Sequence, residues 1–97
     1  MKTLVFLVLL VSAGCAHSLQ SLGVAFRVDS NVADATVWID DIFVGQVSEW
    51  QHEGKFIRPG FHRIEIRHPN YYSVFQEIEP AAGTQTTIKA QLHAILQ

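Results

Sequence analysis

The residues of this 97-residue chain that could do chemistry are five histidines and a scatter of carboxylates. Asp40, Asp41, Glu49, His52 and Glu53 together offer the oxygen and nitrogen donors that divalent cations take. Their neighbours suit plainer roles. Asp40-Asp41 has the make-up of a β-turn, and His52-Glu53 stand just before Gly54, as at an exposed hairpin tip. Glu77 and Glu79 would share one face of a strand at about 7 Å, which resembles the carboxyl spacing of retaining glycosidases. Such a pair needs a cleft that raises one pKa, and a chain this short builds no deep one. His62 alternates with Ile64 and Ile66 and suits a hydrogen bond at a sheet rim. His17, His68 and His93 fall near strand ends or in the leading segment. There is no Cys pair, HExxH, P-loop or GxSxG motif. The reading is a protein without catalysis, metal or cofactor.

Composition bounds the rest. With 48% apolar residues, seven Lys+Arg against nine Asp+Glu and one cysteine, the chain makes one small domain. A net charge of -2 without a basic run excludes the phosphate-binding footprint of a nucleic-acid partner. Aromatic residues are then the remaining binding candidates. Trp50 stands in the polar segment Ser48 to Gly54, with His52 beside it; Trp38 occupies the polar phase of a strand, and Tyr71 sits at a turn. Two readings are open: Trp50 and Trp38 cover the edges of the core, or they form a contact surface. The polar setting of Trp50 assigns it to the surface, so Trp50, Trp38, Tyr71 and His52 are the expected partner-binding residues.

The first residues form a targeting segment. Met1-Lys2 is a positive start, and the apolar run Leu4 to Val11 is too short for a bilayer of about 30 Å. Ser12-Ala13-Gly14-Cys15 then resembles the lipobox of bacterial lipoproteins, whose cysteine receives a diacylglycerol thioether. Ser12 departs from it, because the aliphatic residue, Val11, comes one place early. The resemblance implies lipidation of Cys15 with several acyl chains, palmitate among them. Ala16 in place of Asp implies outer-membrane retention. The alternative is ordinary secretion, with cleavage after Ala13 or Ala16. The expected organisation is a signal peptide over 1–14, a lipidated tether over 15–21 and a domain over 22–97.

Within the domain the apolar period is two. Val24, Phe26 and Val28 alternate with polar or small residues, as do Ala35, Val37 and Ile39, and then His62, Ile64 and Ile66. Further strands are expected over Ile42 to Val47, Lys55 to Arg58, Tyr72 to Ile78 and Thr86 to Leu92, with no helix of useful length. Seven strands with one apolar face each call for two packed sheets, an all-β, small antiparallel β-sandwich. The motifs resemble the PEGA family of exported bacterial proteins over about residues 22 to 93. Val37-x-Ile39-Asp40-Asp41 followed by Gly45, Pro59-Gly60-Phe61-His62 and Asn70-Tyr71 carry the likeness. Of the naming Pro-Glu-Gly-Ala turn only Ala35 is kept, and Asp41 and Asn70 replace glycines. Asp and Asn tolerate the left-handed backbone such turns need. Another immunoglobulin-like or transthyretin-like sandwich is the alternative.

That resemblance implies a lipid-anchored accessory module of the cell envelope without chemistry of its own, serving protein interaction or a structural role. The alternative is a module binding peptidoglycan or another polysaccharide through exposed aromatics. The implied partners are the membrane, through the lipid, and an envelope protein or glycan. Substituting Cys15→Ala should move the protein from the membrane to the soluble envelope fraction, because several acyl chains anchor a protein that one holds only marginally. An intact mass showing an unmodified Cys15, or a start at Gly14 or His17, would refute the lipid.

Overall fold

The computed structural model describes residues 23–96. The expected signal peptide, the tether and Cys15 lie outside the described residues. Seven strands and one helical turn make up the domain: β1 (Val24–Ser30), β2 (Thr36–Ile39), β3 (Ile42–Gln46), α1 (Val47–Gln51), β4 (Lys55–Ile57), β5 (His62–His68), β6 (Tyr71–Ile78) and β7 (Gln85–Ala90). They build two sheets, in the orders β4-β1-β7 and β3-β2-β5-β6. The alternating residues meet between them. Val24, Phe26, Val28, Ile88 and Ala90 from the first sheet and Val37, Ile39, Ile64 and Ile66 from the second are all buried.

The sandwich departs from a purely antiparallel one. β1 and β7 run parallel, in register from Ala25 opposite Gln85 to Ser30 opposite Ala90. Such a pair requires a long crossover, here the whole domain, so neither strand carries a local signal of it. The remaining pairs are antiparallel.

Turn chemistry follows the sequence. Asp40 (φ 52°) and Asp41 (φ 68°) both have positive φ between paired Ile39 and Ile42. That is the two-residue loop whose twist matches a hairpin, with Asp serving where glycine is usual. Gly60 takes φ 106° and donates its N–H to the Pro80 carbonyl at 3.1 Å, joining the β4–β5 link to the turn after β6.

Two expectations are corrected at the end of β3. The strand stops at Gln46, and Val47 begins α1, a helix where none was expected. The Glu49 carboxylate accepts the Gln46 N–H at 3.0 Å and so supplies one of the partners a helix start lacks. In a helical turn, positions i and i+3 share a face, so Val47 and Trp50 both turn inward. Trp50 is 4% exposed. Its ring meets Phe26 edge to face at 5.5 Å, and its Nε1–H donates to the Val44 carbonyl at 3.1 Å. The expected contact residue is therefore a plug in the open side of the sandwich between β3 and β4. Arg27 fastens the far end of α1 by donating to the Gln51 carbonyl at 2.6 Å.

Trp50→Ala should therefore destabilise the fold by about 3 to 5 kcal/mol, the cost of removing a buried aromatic. A denaturant titration would measure it, and a loss below about 0.5 kcal/mol would mean that the plug carries no packing energy.

Candidate functional site

The four expected contact residues do not form one surface. Trp50 is in the core, and His52 is exposed at the end of α1. Tyr71 is half-buried at the start of β6, edge to face with His68 at 5.0 Å and bridged to Ala94. Trp38 alone lies on an exposed sheet face, the outer side of β3-β2-β5-β6.

That face is built by register. Trp38 pairs with Phe43 on one side and Glu65 on the other, and Glu65 pairs with Phe75, giving one row across four strands. The register shift between β2 and β3 leaves Val44 as an extra residue. Val44 packs against the core while Phe43 stays beside Trp38, their rings 5.7 Å apart. Bulges re-aim side chains in this way. In the next row Thr36 pairs with Arg67. The Arg67 guanidinium lies over the Trp38 ring at 3.9 Å and donates to the Glu65 carboxylate at 2.8 Å. Thr36 Oγ1 accepts the Trp38 Nε1–H at 3.0 Å and donates to the Arg67 carbonyl at 3.2 Å. Trp38 is thus held flat by its neighbours, whereas Phe43 and Phe75 remain 53% and 63% exposed at the two flanks.

Strand phase alone singles out Trp38, whereas Phe43, Glu65, Arg67 and Phe75 join it only through strand pairing. Phase was an available signal for Phe75, which lies out of step with the half-buried Val74 and Ile78. The alignment of the row depends on register, which no single strand encodes.

Several of the carboxylates and histidines serve the frame. Among the described residues no group of three or more His, Cys, Asp or Glu is placed to hold a metal ion. Glu49 caps α1 and stands 3.6 Å from Lys55, while Glu77 pairs with Arg63 in the sheet. Asp40 has one carboxylate oxygen 2.6 Å from His62 Nδ1, and the other accepts the Arg63 N–H at 2.9 Å. His62 Nε2 lies 2.8 Å from the Arg58 carbonyl. Both ring nitrogens thus face oxygen acceptors, which suits a doubly protonated imidazolium and leaves neither nitrogen free to act as a base.

Burial alone would depress the His62 pKa, and the Arg58 charge works in the same direction. The bonds to Asp40 and to the Arg58 carbonyl, with the Asp40 charge, outweigh them and lift it above 6.5. For Asp40, burial alone would raise the pKa. The Arg63 N–H, the His62 ring and the charges of His62 and Arg63 bring it below 3.8. The His62 contribution to stability is fully present below its unfolded pKa and is lost as pH rises through the raised folded value. The Asp40 contribution is present above its unfolded pKa and is lost as pH falls through the lowered one. The melting-temperature gap between the wild type and His62→Gln should therefore narrow as pH rises from about 6 to about 9. A gap independent of pH would mean that the contact does not depend on the imidazolium charge.

Comparison with known proteins agrees with this architecture. A search of curated proteins found no match. Among protein families, the PEGA domain matches residues 24–95, from the first residue of β1 to the segment that pairs with Tyr71. PEGA domains are small and non-catalytic. The match takes in both sheets, the Asp40-Asp41 hairpin and the Pro59-Gly60-Phe61-His62 turn, and over this span the chain belongs to the PEGA domain family.

Proposed function

We propose that this chain is a lipid-anchored, non-catalytic accessory module of the cell envelope, and that the outer face of β3-β2-β5-β6 binds a protein partner there. The observation that carries the reading is the row Phe43, Trp38, Glu65 and Phe75, with two exposed phenylalanines flanking an ordered centre of Trp, Arg and Glu. Aromatics and arginine dominate protein interfaces because they bury large areas with few rotatable bonds frozen. Trp38 and Arg67 are already fixed by stacking and hydrogen bonds, so little ordering entropy remains to be lost on binding. A sugar-binding face would offer an open aromatic ring flanked by hydrogen-bonding groups. Here Arg67 covers one face of Trp38, which favours a protein over a glycan.

Anchoring rests on the Ala13-Gly14-Cys15 sequence. No helix among the described residues is long and apolar enough to cross a membrane. A lipid on Cys15 would hold the domain by the tether over 15–21, a length of chain that spans at most roughly 25 Å. The chain enters the sandwich at Gly23, whose carbonyl accepts the Gly83 N–H at 2.9 Å.

Phe43→Ala combined with Phe75→Ala removes two rings that are more than half exposed, so the double variant should stay folded, with Phe75→Ala costing no more than about 0.5 kcal/mol and Phe43→Ala about 0.5 to 1.5 kcal/mol through its contact with Trp38. Affinity purification from detergent-solubilised envelope should recover a protein with the wild type and lose it with the double variant. Equal recovery by both would sink the assignment of this face, and binding to purified sacculi that survives removal of envelope proteins would replace the protein partner with a glycan.

A further inference from the structure

β6 ends its sheet, and only part of its outer edge is covered. Tyr71 bridges Ala94, the Tyr72 N–H donates to the His93 carbonyl at 2.9 Å, and the Ile95 N–H donates to the Asn70 carbonyl at 3.0 Å. The C-terminal segment therefore lies along the first residues of β6 as a short added strand. Among the described residues no strand pairs with the outer edge from Ser73 to Ile78.

An uncovered edge is a template for another strand unless something guards it. The other three edges are guarded. β4 has three residues, β3 is irregular beside Val44, and β7 carries Lys89. β6 is the longest strand at eight residues and holds no Pro or Lys; its own register shift against β5 is confined to the stretch between Tyr71 and Val74, beside the covered part, and it exposes Phe75 near the middle of the uncovered stretch.

We infer that β6 pairs antiparallel with β6 of a second copy of this chain, about a two-fold axis through Phe75. The segment is complementary to itself in that register. Phe75 meets its own copy, Val74 meets Gln76, and Ser73 meets Glu77; the new ladder runs from Ser73 to Glu77 and stops short of Tyr72, whose N–H already serves His93, and the one charge in it never faces a like charge. Arg63, the neighbour of Glu77 on β5, balances it from within the sheet. Centring the axis on Gln76 would set the Glu77 charge against the Phe75 ring. Centring it on Val74 would run Glu77 into Tyr71, which already pairs with Ala94. An axis through Phe75 also keeps both outer faces on one side. Two four-stranded sheets become one of eight, and the two aromatic rows meet at Phe75.

Sedimentation of the full chain in a mild non-ionic detergent should show a concentration-dependent dimer. Phe75→Lys sets two like charges at the axis and should weaken that dimer at least about tenfold, a loss of roughly 1.4 kcal/mol, with an unchanged melting temperature at concentrations low enough that both proteins are monomeric. As a readout independent of that variant's folding, Phe75→Cys in a Cys15→Ser background should form a disulfide-linked dimer under mild oxidation, and Phe56→Cys on the other sheet should not. A chain that stays monomeric at every concentration overturns the inference. So does a dimer that a folded Phe75→Lys variant leaves unweakened, or equal cross-linking from positions 56 and 75. Phe43 lies three strands from the axis, so Phe43→Ala should leave the dimer intact while testing the partner face separately.

Discussion

The packing of Trp50 on Phe26 is the contact on which the closure of the sandwich depends. A domain this small buries only about 60% of its unfolded surface, so a sandwich with an open side has no reserve with which to tolerate wet core residues. β3 belongs to one sheet and β4 to the other, and the link between them crosses that open side. A single helical turn folds the link inward and sets Trp50 against Phe26, a residue of the central strand opposite. Gln51 bonds Asp29 at 2.9 Å, while Val47 and Ser48 donate to the Ala35 and Ala33 carbonyls, so the turn is laced to the β1–β2 link as well. A polar-looking segment in sequence is thus the clasp of the fold.

This clasp explains what was legible in the sequence. Strict alternation in Val24 to Val28 and His62 to Ile66 marked the strands and their inward faces, and Asp40-Asp41 and Pro59-Gly60 marked where the chain reverses. Each of those signals is local. The helical turn leaves no periodic trace because five residues are too few to establish a 3.6-residue period, and Trp50 reads as exposed only if the segment is extended. The parallel pairing of β1 with β7 joins residues about sixty positions apart, a separation at which no side-chain pattern specifies direction. At the candidate face, Trp38 stood out because a tryptophan in the polar phase is unusual. Phe43 and Phe75 became its companions only through a bulge and two registers.

The two best-kept motifs of the family resemblance prove to be halves of one device. Asp40, from the turn between β2 and β3, and His62, from the Pro59-Gly60-Phe61-His62 sequence, meet at 2.6 Å. The Arg58 carbonyl takes the other ring nitrogen, so the β2–β3 hairpin, the β4–β5 link and the first residues of β5 are tied together at one end of the sandwich. Read separately, an Asp and a His suggest acid-base chemistry. Joined in this way, they are a structural tie in which both ring nitrogens of His62 are already used.

The parallel pairing of the first and last strands also determines how the domain would bear a pulling force. β1 is entered at its Gly23 end and β7 is left at the opposite end, so tension applied through the two chain ends acts along the strands in opposing directions. The paired positions from Ala25 to Ser30 would then share the load in shear, and the ladder could not open one bond at a time as a hairpin pulled from its open end does. The tail from His93 to Ile95, held to Asn70–Tyr72 by two backbone bonds and a bridge, would peel first and leave that ladder whole. A module wired in this way passes tension through its own sheet, so a pull on one end is felt at the other before the core is breached.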